Sequence, residues 1–310
     1  MIYSEPSNQK KLFGLDKYIL DLIRLYDTNK YPNKLLLSGS KGIGKSTLAY
    51  HFVNYILSKN ELYTYNLNEF TINPENTTFK TIINKSNPNL ILIDVNSDKK
   101  TIDINQIRNL IINLNKSSFN DKPRFVLIDN IELLSLNSVN AILKILEEPN
   151  ENIHFILINN NRKILSTLKS RCIDFKINLS HEKSLNVTSL ILGVDIRNLL
   201  NNDLINYYST PGDIINLIKF ANEYEYDLSN IDLKNLIKII IQENHYKKNT
   251  KIKDILFNYI EIYFSKLDFS LSKKINDKYS YFVKRISDTK TFNLDEESLL
   301  IDFKEEVLNG

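Results

Sequence analysis

The 310-residue sequence predicts an α/β domain with an open, mostly parallel sheet, followed by two helical regions. Three observations carry that expectation. Short apolar runs at 34–38, 90–95, 124–128, 153–158 and 173–179 alternate with stretches of helical periodicity. A glycine loop of the form G-x-x-x-x-G-K-[ST] separates the first run from a helix start. Beyond Ser180 the β-rich runs stop and only helical spacing remains.

Residues 6–14 read as an irregular arm, either a packing segment or a strip that touches a nucleotide base. Ile19, Leu20, Ile23 and Leu25 then share one side of a helix over 16–26. Residues 35–50, LLLSGSKGIGKSTLAY, combine a buried strand, the loop and the next helix. Gly39, Gly44, Lys45 and Ser46 fill the pattern, with Gly42 as a third glycine inside it. The glycines let successive N–H groups turn inward as an anion nest, and the helix start adds its own unpaired donors. Lys45 is placed to reach β- and γ-phosphates and Ser46 to ligate Mg²⁺. The expected binding set for ATP or ADP with Mg²⁺ is therefore Gly39, Lys41, Gly42, Gly44, Lys45, Ser46 and Thr47.

Residues 59–88 are weakly patterned and predict a short helical stretch between loops. The run 90–95 predicts a central strand buried on both faces, and Ile104, Ile107, Leu110, Ile111 and Leu114 an amphipathic helix over 102–114. The run 124–128 ends in Asp129, a carboxylate at the end of a buried strand and the second candidate Mg²⁺ ligand. Asn130 follows, where a water-polarising ATPase needs Glu; an amide cannot take the proton. Glu132, two residues on, is expected to face another way. Asn137 or Ser138 is the expected cap of a helix running to Glu148, ended by Pro149.

After 153–158 stand three asparagines, of which Asn159 is the candidate for orienting water or sensing a γ-phosphate. A loop enriched by the chain's general asparagine bias is the alternative. A short helix over 164–169 leads into Ser170-Arg171-Cys172 and the strand 173–179. Helices are then expected at 183–192, 194–204, 214–224 (capped by Asp213), 233–244, 252–267, 271–286 and 295–308. Lys273, Lys274, Lys278, Lys284 and Arg285 crowd one of them, but Asp277 and Asp288 dilute the charge, which favours a solvated face over a nucleic-acid patch. The expected domains are 1–178, 179–228 and 229–310.

Forty basic residues against 37 acidic ones leave a net charge of +3, so the global charge does not direct the chain to nucleic acid. A single cysteine, Cys172, excludes an intrachain disulfide and a cysteine-built zinc site within one chain. The expectation is a reducing cytoplasm and no zinc. No apolar run approaches the roughly 18 residues of a membrane span, and the opening residues MIYSEPSNQKK lack the apolar core of a secretory signal. No membrane association is expected.

Taken together, 39–47, Asp129, 140–149 and Ser170-Arg171-Cys172 make the chain resemble the delta-prime family of bacterial DNA polymerase III clamp-loader subunits. That family lies in the AAA+ superfamily, beside gamma/tau and eukaryotic replication factor C. The stretch NAILKILEEPNENIHFILI, followed by LSTLKSRC, resembles the family's N-A-L-L-K-x-L-E-E-P-P and S-R-C boxes. Residues 104–108 are similar to the family helix after the central strand. The likeness covers 10–178 and fades beyond, where a helical lid and collar of suitable length remain.

The resemblance implies a pentameric loader with gamma/tau and delta subunits as partners, placing a sliding clamp on primed DNA, with ATP at subunit boundaries. It implies that Arg171 reaches the γ-phosphate held by a neighbouring gamma/tau subunit, where a guanidinium supplied in trans stabilises phosphoryl charge. A structural salt bridge is the competing role. Ser170 is expected to orient the segment and Cys172 to pack as a small hydrophobe. Three departures separate the chain from an active loader ATPase. Asn130 replaces the carboxylate, Ile215 stands where the lid helix carries a second phosphate-sensing Arg, and the four-cysteine zinc module is missing between Asn60 and Leu90. They favour a delta-prime-like subunit that binds nucleotide and hydrolyses it poorly over a gamma/tau-like active ATPase. DNA is expected to be gripped by the complex through its backbone.

Overall fold

Apolar runs without polar alternation need cover on both faces, and the sheet they form is wholly parallel. Strands β1 (Lys34–Ser38), β2 (Leu90–Ile93), β3 (Arg124–Ile128), β4 (Ile153–Asn159) and β5 (Ile173–Lys176) lie in the order β2-β3-β4-β1-β5. Leu37 is in register with Ile158 on one side and Phe175 on the other, and Ile128 with Leu157 and Ile93. β4 therefore separates β1 from β3, and the loop after β1 and the carboxylate after β3 share one edge with a single strand between them. The structure is a computed structural model that describes residues 5–96, 99–116, 120–147, 152–206, 209–266, 273–292 and 294–309. It divides into two units, Met1–Val187 and Thr188–Gly310.

In the first unit, alternate strand residues face two cores. Leu35, Leu37, Phe125, Leu127, Ile156 and Ile158 pack with α1 (Asp16–Asp27) through Ile19 and Leu22, and with α2 (Lys45–Leu57) through Leu48, Phe52 and Ile56. Helix α3 (Thr77–Ile83) adds Phe79 and Ile82 to that face. On the opposite face Leu36, Val126, Ile128, Phe155 and Leu157 meet Ile107 and Leu110 of α4 (Ile104–Leu114) and Ile142 and Leu146 of α5 (Leu136–Glu147). Each such side chain contributes about 1.5–3 kcal/mol by leaving water, which fixes the sheet edge that carries the site. Helices α6 (Ser166–Lys169) and α7 (His181–Leu192) flank β5 in sequence.

The arm is a built-in packing segment. Leu12 N–H donates to Phe70 O at 3.0 Å, Ile72 N–H to Lys10 O at 2.8 Å, and Leu12 and Leu15 are buried. Two other expectations are corrected in this unit. The run 90–95 forms an edge strand rather than a central one, and Leu92 is 41% exposed. A short apolar run does not by itself distinguish an edge from a centre. Helix α5 is capped by Ser135, whose hydroxyl accepts the Ser138 N–H at 3.2 Å, while Asn137 and Ser138 lie inside the helix. Ser138 is instead spent on Ile102 O at 2.9 Å. The expected helix end at Glu148 and Pro149 lies outside the described residues.

The second unit is helical, with α8 (Pro211–Glu223), α9 (Leu233–Gln242), α10 (His245–Lys248), α11 (Thr250–Lys266), α12 (Lys273–Phe292) and α13 (Glu296–Phe303). Phe220, Phe264, Phe282 and Phe303 are among its fully buried side chains. The expected helix over 194–204 is two 3-10 turns, Ile196–Asn198 and Asn202–Leu204. Asp195 accepts Arg197 N–H and Asn201 accepts Asp203 N–H, each at 3.0 Å, and such local bonds compete with α-helix. Asp213 is not a cap. Thr210 is, and Asp213 is its capping-box partner, with Pro211 in the first turn.

Two of the basic residues of α12 are tied down, and Lys284 is exposed. Lys278 bonds Glu306 O, and Arg285 bonds Asp302 at 2.5 Å and the Tyr281 hydroxyl at 2.8 Å. The side chains of Lys273 and Lys274, and the expected helix ends at Leu267 and Leu271, lie outside the described residues. Among the described residues no helix is long and apolar enough to cross a membrane.

Candidate nucleotide-binding site

The loop after β1 is shaped by its glycines. A side chain at Gly39 would put its Cβ 2.3 Å from Ile177 O, so backbone from β1 and from beyond β5 approach closely there. Gly42 (φ 85°) and Gly44 (φ 95°) hold the left-handed conformation that glycine adopts without strain. Gly44 hands directly to α2, whose first turn brings unpaired N–H donors to the loop. Lys45 is buried, its Nζ donating to Gly39 O at 2.8 Å and Ser40 O at 2.6 Å. Burial pulls its pKa down to about 8, against the opposing pull of Asp129 and Glu132. Lys41 is exposed on the loop, and Thr47 is half-buried in the first turn of α2.

The structure brings Ser46 and Asp129 together across β4, with Ser46 Oγ donating to Asp129 Oδ2 at 2.5 Å. Burial raises the pKa of Asp129; the Ser46 bond opposes that, and the charge of Asp94 adds to it. A hydroxyl and a carboxylate at one point are hard oxygen ligands of the kind Mg²⁺ takes. Nest, ammonium and oxygen pair thus fit a Mg²⁺-nucleotide, with Gly39 to Thr47 for the phosphates and Ser46 with Asp129 for the metal.

Asn130 turns the chain with φ 54° and is fixed on both sides. Its Nδ2 donates to Asp94 Oδ1 at 2.8 Å and its Oδ1 accepts from Asn160 Nδ2 at 2.8 Å. Asn160 also donates to Glu132 Oε1 at 2.9 Å, so the 3-10 turn Ile131–Leu133 folds Glu132 back into this network rather than away from it. Asn159 is buried and bonds the backbone of the loop that follows it. Its Nδ2 donates to Arg162 O at 3.1 Å and its Oδ1 accepts Arg162 N–H at 3.3 Å, which commits both ends of the amide to the loop.

Sequence reasoning missed Asp94 and Asn160. Asp94 carried the same signal as Asp129, an apolar run ending in Asp, as LILID beside RFVLID. Nothing in the triplet of asparagines marks which one faces the network.

Arg171 follows α6, its Nη1 donating to Thr167 O at 2.8 Å and its Nη2 pairing with Glu147, the last residue of α5. Ser170 Oγ also donates to Thr167 O, at 3.1 Å, which pins the turn. Cys172 is half-buried against the α4–α5 core, and burial pushes its thiol up to about 11.

Residues 14–181 match the model of the family described as DNA polymerase III, delta subunit. The chain belongs to this family. Among similar proteins, DNA polymerase III subunit gamma of Buchnera aphidicola subsp. Schizaphis graminum is 31% identical over 245 residues, covering 76% of this chain and 63% of that protein. Subunit delta' of Buchnera aphidicola subsp. Baizongia pistaciae is 31% identical over 152 residues, covering 47% of this chain and 44% of the other. This delta-family chain therefore spans less than two thirds of the length of those curated relatives. A solved gamma subunit-related protein of DNA polymerase III from Thermotoga maritima aligns with a TM-score of 0.44 at 14% identity, covering 91% of this chain and 96% of that one. The family match ends just after β5, so it takes in every strand and both the Asp129 and Arg171 positions.

Proposed function

We propose that the chain is a delta-prime-type subunit of the DNA polymerase III clamp loader that binds ATP or ADP with Mg²⁺, hydrolyses it poorly, and donates Arg171 in trans to ATP on a gamma/tau-type neighbour. The observation that carries this reading is the fixed amide of Asn130 beside Asp129, held by Asp94 and Asn160. Hydrolysis needs a group that takes a proton from the attacking water, and a positioned base is worth about 10²–10⁴ in rate. An amide, here engaged at both ends, supplies none of that. Bound Mg²⁺ would neutralise charge on the β- and γ-phosphate oxygens. The chain's own part is to cradle the phosphates at Gly39 to Thr47, place the Lys45 ammonium beside them, and align Ser46 with Asp129.

Ile215 supports the same reading, since an aliphatic side chain there cannot contact phosphate. Arg171 supports the trans role because its segment is pinned while its guanidinium stays partly exposed. The partners in this reading are gamma/tau and delta subunits, the sliding clamp and primed DNA, in the cytoplasm. Residues 179–228 serve as the lid and 229–310 as the collar.

The test is nucleotide binding against turnover by the isolated protein. Mg²⁺-ATP is expected to bind, Lys45→Met to abolish binding, and turnover to stay far below one per second. Turnover of several per second would instead establish a gamma/tau-like ATPase.

A further inference from the structure

We propose that Glu147 is a positioning residue that parks the Arg171 guanidinium on its own subunit, so that a neighbour's nucleotide must displace it; this rests on the reading of Arg171 as the group donated in trans. Both terminal nitrogens of the guanidinium fork are engaged within the chain, Nη1 with Thr167 O at 2.8 Å and Nη2 with the Glu147 carboxylate. A phosphoryl group is recognised through the same paired N–H donors. The two partners therefore compete for the same terminal nitrogens. Glu147 also cancels the charge that would attract a triphosphate, and its own carboxylate repels phosphate oxygens brought alongside it.

The location of Glu147 makes it a fixed post. It follows Leu146 in α5, and Ile142 and Leu146 pack in the core, so its backbone is anchored while the side chains exchange partners. The pair is also open enough to release, with Arg171 31% and Glu147 53% exposed. Exposed ion pairs of this kind shift an equilibrium by no more than about fivefold. That is small enough for a triphosphate to overcome and large enough to set the nucleotide level at which the boundary closes.

The test uses the assembled loader with gamma/tau- and delta-type partners, ATP and primed DNA. Glu147→Gln keeps the size of the side chain and removes its charge. The expected result is a roughly three- to fivefold fall in the ATP concentration for half-maximal hydrolysis, with the maximal rate unchanged. The difference from wild type should shrink as added salt screens the native pair, and should vanish in an Arg171→Ala background. An unchanged or raised half-saturating concentration in Glu147→Gln would overturn the parking role, while Arg171→Ala still lowering the rate would leave the trans reading standing. If Arg171→Ala itself leaves hydrolysis unchanged, both readings fall.

Discussion

Burial lowers the pKa of Lys45 from 10.5 to about 8, which in the proposed reading makes nucleotide binding sensitive to alkaline pH, because the ammonium form is the one that would hold phosphate. Affinity for Mg²⁺-ATP is therefore predicted to be full below pH 7 and to fall by about tenfold per unit once pH passes 8. Calorimetric titration at several pH values checks it, and Lys45→Met should be weak and flat across the range.

His51 makes itself felt at the acid end instead. Its Nε2 donates to Gln9 O and its Nδ1 accepts from the Tyr65 hydroxyl, both at 2.9 Å, so the neutral ring is the one that fits. Burial lowers its pKa from 6.5 to about 4. The unfolded chain binds a proton in that window that the folded chain refuses, so this contribution is complete above pH 6.5 and is lost as pH falls towards 4. The loss amounts to about 3 kcal/mol. Denaturant unfolding should show it, and His51→Gln should flatten that part of the pH profile. At this scale Lys45, Ser46 and Asp129 were legible because a spaced motif and a strand end mark them. Asp94 carried the same strand-end mark as Asp129 and was passed over, whereas Asn160 and Glu147 were not legible, because their contacts come from neighbours on other elements.

At the scale of elements, the sequence marks strands well where burial is complete. β1 and β3 begin and end where the apolar runs do, since both stand inside the sheet with cover on each face. The edge position of β2 and the turns at 194–204 were hidden, because pairing order and side-chain bonds to backbone leave no period in the sequence. Gly39 and Thr210 show how much single positions carry. Gly39→Ala is predicted to force the phosphate loop away from Ile177 O, at a cost of about 1–3 kcal/mol and with loss of nucleotide binding. Thr210→Ala removes the cap of α8 and should cost about 1 kcal/mol. Thermal unfolding measures both, and only the first should change ATP affinity.

For the whole molecule, the two units divide the work in the proposed reading. The first holds the phosphate loop, Asn130 and Arg171; the second supplies the collar and most of the lid. In that reading the chain contributes to hydrolysis through its neighbour, and that claim separates Arg171 from Lys45. The direct measurement is DNA-stimulated ATP hydrolysis by the assembled loader carrying either Arg171→Ala or Lys45→Met in this subunit alone. Arg171→Ala is predicted to lower the rate at the affected boundary by about 10³-fold or more, the scale of an arginine supplied in trans, while Lys45→Met leaves the rate near wild type. A loader that keeps its rate with Arg171→Ala and loses it with Lys45→Met would contradict the account.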